Sequence, residues 1–246
     1  MMAMEGDLRN HVALVTGASR GIGAAIATRL AQAGAAVAIN YRERADKADA
    51  LAGQLVQAGH RVITARGDVS KADDVARMVE LVEAKLGPVD ILVNNAGIAL
   101  RRSIDELSEG DFDQTIAVNL KSAFLCMKAV LPGMRSKGWG RIVNITSGAA
   151  RSAGTIGPHY NASKAGMEGL TRGYAARLAA SGITVNNVAP SLIATDMMEG
   201  QAQLVSRIPM GRFGKPEEVA QAVMLLIANP YMTGQTVAMS GGMAFN

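Results

Sequence analysis

The 246-residue chain has one cysteine, one tryptophan, four tyrosines and four phenylalanines. Cys126 has no internal partner, so a disulfide framework is excluded, and a reducing compartment is expected. With aromatics at 4%, the core has to be built from aliphatic side chains. Charged residues are only 19% of the chain, against 49% hydrophobic, a balance that excludes intrinsic disorder. No basic run interleaved with aromatics occurs and the net charge is only +4, so no nucleic-acid partner is expected. No stretch reaches the roughly 18 uninterrupted apolar residues of a membrane span, and the start MMAMEGDLRNHVALV has no apolar signal core. These absences together lead us to expect a cytoplasmic protein without a membrane partner.

Glycine, by contrast, is abundant at 27 residues, and its placement follows a pattern of alternating elements. Short β-branched runs begin at Val12, Ala36, Arg61, Ile91, Arg141, Ile183 and Gln235, and helical periodicity falls at 21–33, 46–58, 72–86, 111–136, 160–180 and 216–228. Strands that are apolar on both faces and alternate with helices call for a parallel sheet covered on both sides. The expected architecture is a single α/β domain over residues 1–246, a Rossmann fold with a doubly wound seven-stranded parallel sheet. The alternation breaks at 191–215, after a strand whose carboxyl end faces the ligand crevice, so this segment reads as a substrate lid.

The first strand runs into Thr16-Gly17-Ala18-Ser19-Arg20-Gly21-Ile22-Gly23 and then a helix. Glycines let backbone amides approach a pyrophosphate, and the helix start supplies unsatisfied N–H groups and a favourable dipole. The second strand ends Asn40-Tyr41-Arg42-Glu43-Arg44, without the first-position acid that usually binds the ribose hydroxyls of NAD. Arg20 and Arg42 are placed to meet a 2′-phosphate, which favours NADP over NAD.

Tyr160 and Lys164 stand four apart at a helix start, with Ser147 upstream. Residues at that spacing share a helix face, so the lysine cation is expected to lower the tyrosine pKa toward the working range. The phenol then becomes an acid or base, and a neighbouring serine hydroxyl stabilises charge developing on a carbonyl oxygen.

Taken with Asp68-Val69, Asn94-Asn95-Ala96-Gly97, Asn119 and Pro190 to Thr195, these motifs resemble those of the short-chain dehydrogenase/reductase family along essentially the whole chain. The resemblance implies Tyr160 as general acid, Ser147 orienting the carbonyl, Lys164 lowering the tyrosine pKa and binding the nicotinamide ribose, and Asn119 holding a relay water. It also implies cofactor contacts from Asp68 and Val69 to adenine, from Asn95, Ala96 and Gly97 near the ribose, and from Pro190, Ile193 and Thr195 around the nicotinamide. Ser191 departs from the glycine common after that proline. Within the family the chain is most similar to bacterial 3-oxoacyl-(acyl-carrier-protein) reductases. That similarity implies NADPH, a small carbonyl substrate carried as an acyl thioester on acyl carrier protein, fatty-acid biosynthesis and a homotetramer. Gly138 and Ser181 replace basic residues common in carrier-protein enzymes, leaving Arg135, Lys137, Arg141 and Arg172 as compensating charges. Relatives acting on sugars, polyols or other secondary alcohols share the scaffold motifs, and a silent dinucleotide-binding protein is the reading from another class. No metal site is expected.

Overall fold

A computed structural model of the chain describes residues 7–198 and 200–244, with the side chain of Met197 outside the description. In chain order the elements are β1 (Val12–Val15), α1 (Gly21–Gln32), β2 (Ala36–Tyr41), α2 (Ala45–Gln57), β3 (Val62–Arg66), α3 (Ala72–Leu86) and β4 (Ile91–Asn94). They continue with α4 (Glu109–Ile116), α5 (Ser122–Lys137), β5 (Gly140–Ile145), α6 (Pro158–Leu178), β6 (Ile183–Pro190), α7 (Pro216–Ala228) and β7 (Thr236–Met239). All strand pairs are parallel, in the order β3-β2-β1-β4-β5-β6-β7. The winding direction therefore reverses between β1 and β4, and a crevice opens beyond the carboxyl ends of those two strands.

The two-sided apolarity of the strands has a direct structural counterpart. Ala13 and Val15 of β1 pack on the layer that contains α1 and α7, while Val12 and Leu14 pack on the layer of α3, α5 and α6. Leu14, Ile39, Leu92 and Ile142 are fully buried, and burying each such side chain stabilises the fold by roughly 1.5–3 kcal/mol.

Helix starts follow local chemistry. The Ser108 hydroxyl accepts from the Asp111 N–H while the Asp111 carboxylate accepts from Ser108, a capping box that begins α4 at Glu109 rather than at 111. Pro158 occupies the first turn of α6, where its missing N–H is harmless, and moves that start two residues ahead of the periodicity.

The expected single helix over 111–136 is interrupted. Residues Ala117–Lys121 form a wider π turn between α4 and α5, a feature invisible to a 3.6-residue period and common at functional sites. The composite helix Glu109–Lys137 is the one stretch among the described residues long and apolar enough to cross a membrane. Lys121 and Lys128 interrupt it, and Cys126, Met127, Val130 and Met134 are buried against the sheet layer.

The segment 191–215 folds back on itself. Ile193 and Gly214 form an isolated parallel bridge, supported by Ala194 N–H to the Gly214 carbonyl at 2.8 Å and Gly214 N–H to the Leu192 carbonyl at 3.0 Å. Two short 3-10 turns, Asp196–Met198 and Ala202–Arg207, lie inside it, so it carries local structure that its mixed composition did not reveal.

Candidate active site

The glycine turn is held mainly by its own neighbours. Gly17 has φ 60° and donates its N–H to the Asn40 side-chain carbonyl at 3.1 Å. A Cβ on Gly17 would lie 2.8 Å from the Ala96 Cα, and one on Gly23 would lie 2.5 Å from the Asn95 Nδ2 and 2.6 Å from the Gly17 carbonyl oxygen. These two glycines are thus required by backbone packing against the Asn95-Ala96 stretch. Helix α1 starts with no side-chain cap and no acid in its first turn, which leaves its N–H groups and positive dipole end free for an anion.

Several side chains expected to touch a cofactor are committed to the protein itself. Asn40 is 2% exposed, and its amide donates to the Ala65 and Gly67 carbonyls, both at 3.1 Å. It therefore ties the turn to the end of β3 and leaves only part of its surface on the cleft. The Asn95 amide donates to the Thr16 and Gly17 carbonyls at 3.0 and 2.9 Å. Asp68 accepts from the N–H and hydroxyl of Ser70 at 3.0 and 2.7 Å. Burial pushes its carboxyl pKa up, but those bonds and the nearby Arg42 outweigh this and leave it lowered. Thr16, absent from the expected site, accepts from the Asn95 and Ala96 N–H groups at 3.0 and 3.1 Å and joins the turn to the end of β4.

The predicted phosphate cations lie on the rim. Arg42 pairs with Glu43 at 2.6 Å and is 4.0 Å from Asp68, and Arg20 reaches Asp196 at 3.4 Å. Thr195 lies over the helix start, its methyl 3.3 Å from where a Gly21 Cβ would be.

The reactive groups converge from two elements. Ser147 follows β5, and Tyr160 and Lys164 project from the first turns of α6. Lys164 is 4% exposed, donates to the Ile145 carbonyl at 2.9 Å, and its nitrogen is 5.8 Å from the Tyr160 ring centroid. The expected lowering of the tyrosine pKa by lysine is not what this geometry gives. Burial pushes the Tyr160 phenol up, with a bond to the Ser147 side chain acting the other way, and burial brings the Lys164 ammonium down to about 8. Desolvation outweighs charge proximity because both side chains are largely buried.

Asn119 stands in the π turn and is fully buried. Its carbonyl accepts from the Ile98 N–H at 2.8 Å, while its amide donates to the Ile98 carbonyl at 3.0 Å and the Ser163 hydroxyl at 3.2 Å. A Cβ on Gly97 would lie 3.3 Å from the Asn119 Oδ1 and 3.6 Å from the Lys164 nitrogen, so Gly97 sits close to both polar groups.

A buried relay behind the site was not read from the sequence. Asn94 donates to Asn144 at 2.8 Å, Asn144 to the Thr171 hydroxyl at 2.8 Å, Thr171 to Asn187 at 2.6 Å, and Asn187 to Thr236 at 3.0 Å. It crosses β4, β5, α6, β6 and β7 and fixes α6 on the sheet. The signal was an asparagine inside each of three apolar strands, where an unpaired amide is costly.

Gly17, Ser19, Arg20, Gly21, Ile22, Gly23, Asn40, Tyr41, Arg42, Asp68, Val69, Asn95, Ala96, Gly97, Ser147, Tyr160, Lys164, Pro190, Ile193 and Thr195 all border one cleft of about 670 Å³. Asn119 does not border it, and sits behind Ile98. Ile98 and Val118, and from the segment read as a lid Ser191, Asp196 and Met198, line it as well. Ser191 presses on Gly148, whose Cβ would lie 2.5 Å from the serine Oγ. Glycine turn, uncapped helix start, rim cations and a cleft of this size fit a dinucleotide. Of the compensating charges, Arg141 points inward, 7% exposed and bonded to the Ile227, Gly140 and Gly182 carbonyls, so it offers no surface charge.

A switch-point cleft with a serine, tyrosine and lysine at one end defines a dinucleotide-dependent class of enzyme. The short chain dehydrogenase family model matches residues 11–204. A 3-oxoacyl-(acyl-carrier-protein) reductase from Synechocystis sp. is 42% identical over 96% of this chain and 98% of its own. Another so named, from Staphylococcus epidermidis, is 41% identical over 95% and 99%, and nodulation protein G from Azospirillum brasilense is 41% identical over 97% and 100%. A solved structure of a proposed gluconate dehydrogenase from Agrobacterium tumefaciens superposes with a TM-score of 0.91 at 34% identity, covering 96% of this chain and 97% of that one. The chain belongs to the short chain dehydrogenase family and is an oxidoreductase that uses a nicotinamide dinucleotide.

Proposed function

We propose that this chain is an NADPH-dependent reductase of 3-oxoacyl thioesters, the acyl group being presented on acyl carrier protein. The observation that carries the reading is Ser147 beside the buried Tyr160 and Lys164 on the wall of the same cleft that the glycine turn lines. The dinucleotide, when bound, supplies the hydride. The residues do the rest. Ser147 holds the substrate carbonyl oxygen, and Tyr160, whose phenol pKa burial pushes up, delivers the proton to that oxygen. Lys164, mostly charged below about pH 8, stabilises the phenolate left behind. A water between the Asn119 Oδ1 and the Lys164 nitrogen, both close to Gly97, returns the proton.

The choice of NADPH rests on Arg20 and Arg42 at the rim and on the absence of an acid at the first position after β2. Substrate class is carried by the names of the relatives over nearly the full chain. The exposed Arg172 offers charge to an acidic carrier. The whole chain acts as one domain, with 191–215 covering the substrate. A homotetramer in the cytoplasm is the matching assembly, supported by a mostly apolar hollow of Ile116, Leu120, Phe124, Gly166 and Leu170, with Lys121 beside them, where α4, the π turn and α5 meet α6.

NADPH oxidation measured in parallel with acetoacetyl thioesters, simple ketones and sugar lactones or ketoses tests the substrate. The sugar arm is included because of the gluconate-related structural match. Activity confined to non-thioesters rejects the thioester reading. Tyr160→Phe is expected to lose turnover while retaining dinucleotide binding by fluorescence titration, and near-normal turnover rejects the assigned chemistry.

A further inference from the structure

Three carboxylates, Glu43, Asp68 and Asp196, line the cofactor cleft and do not suit a polyanionic ligand, and Asp196 is the one that pairs with two cations. Asp196, in the short turn after Thr195, places a carboxylate on the wall of a cleft shaped for a dinucleotide carrying at least two phosphates. That carboxylate is held by two cations from distant parts of the chain. Its Oδ2 lies 3.4 Å from Arg20 of the glycine turn and 3.2 Å from the ammonium of Lys47 in the first turn of α2. Among the described residues neither cation has another side-chain partner, and all three side chains remain partly open to water, at 52%, 44% and 38% for Arg20, Asp196 and Lys47.

Two converging cations with a single carboxylate between them form an under-neutralised site. A carboxylate carries one negative charge over two oxygens, whereas a phosphate offers more charge and more acceptor oxygens. Exposed ion pairs of this kind are weak and exchange readily. Asp196 is held below the usual carboxylate range chiefly by its bond to Lys47, so it stays a competitor throughout the neutral range.

Resting on the dinucleotide reading above, we propose that Lys47 is a further phosphate-binding residue for the cofactor, and that Asp196 is a stand-in anion which a cofactor phosphate displaces from Arg20 and Lys47. Binding then exchanges one counter-ion for another. Asp196 lowers cofactor affinity, Lys47 raises it, and the two act through each other. Because Asp196 follows the Ile193–Gly214 bridge closely in sequence, its release also frees the start of the 191–215 segment from the glycine turn.

Fluorescence titration of NADPH and NADH onto Asp196→Asn, Lys47→Met and the double variant tests the exchange. Asp196→Asn is expected to bind NADPH about threefold tighter and Lys47→Met about threefold weaker, the factor one weak ion pair gives. In the double variant the gain from Asp196→Asn should shrink, since the carboxylate then has only Arg20 to release. An effect on NADPH alone assigns the 2′-phosphate as the displacing group; equal effects on both nucleotides assign the diphosphate. Unchanged or weaker binding by Asp196→Asn overturns the proposal, as does unchanged binding by Lys47→Met. A wild-type preference for NADH overturns the NADP reading but leaves the exchange testable with NADH.

Discussion

Replacing Lys164 by methionine removes a charge that the fold has to desolvate. A pKa brought from 10.5 down to about 8 means that burying the ammonium costs roughly 3 kcal/mol at neutral pH, at about 1.4 kcal/mol per pH unit. Methionine of similar length escapes that penalty but leaves the Ile145 carbonyl without its donor, an opposing loss of about 1–3 kcal/mol. The net change at pH 7 is therefore small, and the pH dependence is the sharper test. Between the native value of about 8 and the unfolded 10.5, the unfolded chain binds the proton more tightly, so wild-type stability from this group rises with pH. Below about 8 the full penalty is present; above 10.5 it is gone. Cys126, raised to about 12 by burial, and Tyr160, also raised, act in the opposite sense. Because both are present in wild type and variant alike, they cancel in the difference. Urea unfolding of the two proteins at pH 7, 8, 9 and 10 should show the stability of the variant relative to wild type falling by up to roughly 3 kcal/mol across the series. Turnover at pH 7 should drop at least about a hundredfold. A stability difference that stays flat with pH refutes the buried-charge reasoning.

Other perturbations follow from the same geometry. Carbonyl reduction by the wild type should decline as pH rises through about 8, where Lys164 loses its charge, checked by kcat between pH 6.5 and 9.5; a profile flat to pH 9.5 contradicts the role given to the cation. Thr171→Val leaves Asn144 without its acceptor and Asn187 without its donor, and should cost roughly 2–5 kcal/mol in urea unfolding, with Thr171→Ser restoring most of it. Gly23→Ala forces a methyl to within 2.6 Å of the Gly17 carbonyl oxygen, and should destabilise the chain by about 1–3 kcal/mol. It should also erase the rise in Tm that NADPH gives the wild type.

The seven strands and their helices were legible because each carries its own signal. β-branched runs such as ILVN at β4 are apolar on both faces, and the helices between them keep a 3.6-residue period. The break in the helix around Asn119 was not legible, because a π turn changes which residues hydrogen-bond without changing which are apolar. The cleft residues were readable as motifs, but their division of labour was not. Asn40 and Asn95 look like ligands in sequence, and in the fold both amides hold the glycine turn in place. Thr16 gives no local cue at all, since its importance lies in two N–H groups contributed from beyond β4.

The amino-acid sequence by itself determined the α/β alternation, the glycine turn against a helix start, and the presence of Ser147, Tyr160 and Lys164 in the order the chemistry needs. These follow from propensity, periodicity and spacing, all of which act over a few residues. Tertiary structure alone decided the direction in which burial moves the tyrosine and lysine pKa values, the asparagine relay that seats α6, and the meeting of Arg20, Lys47 and Asp196. Desolvation depends on what surrounds a group in space, and Lys47 and Asp196 are 149 positions apart along the chain, so neither is written in any local stretch of sequence.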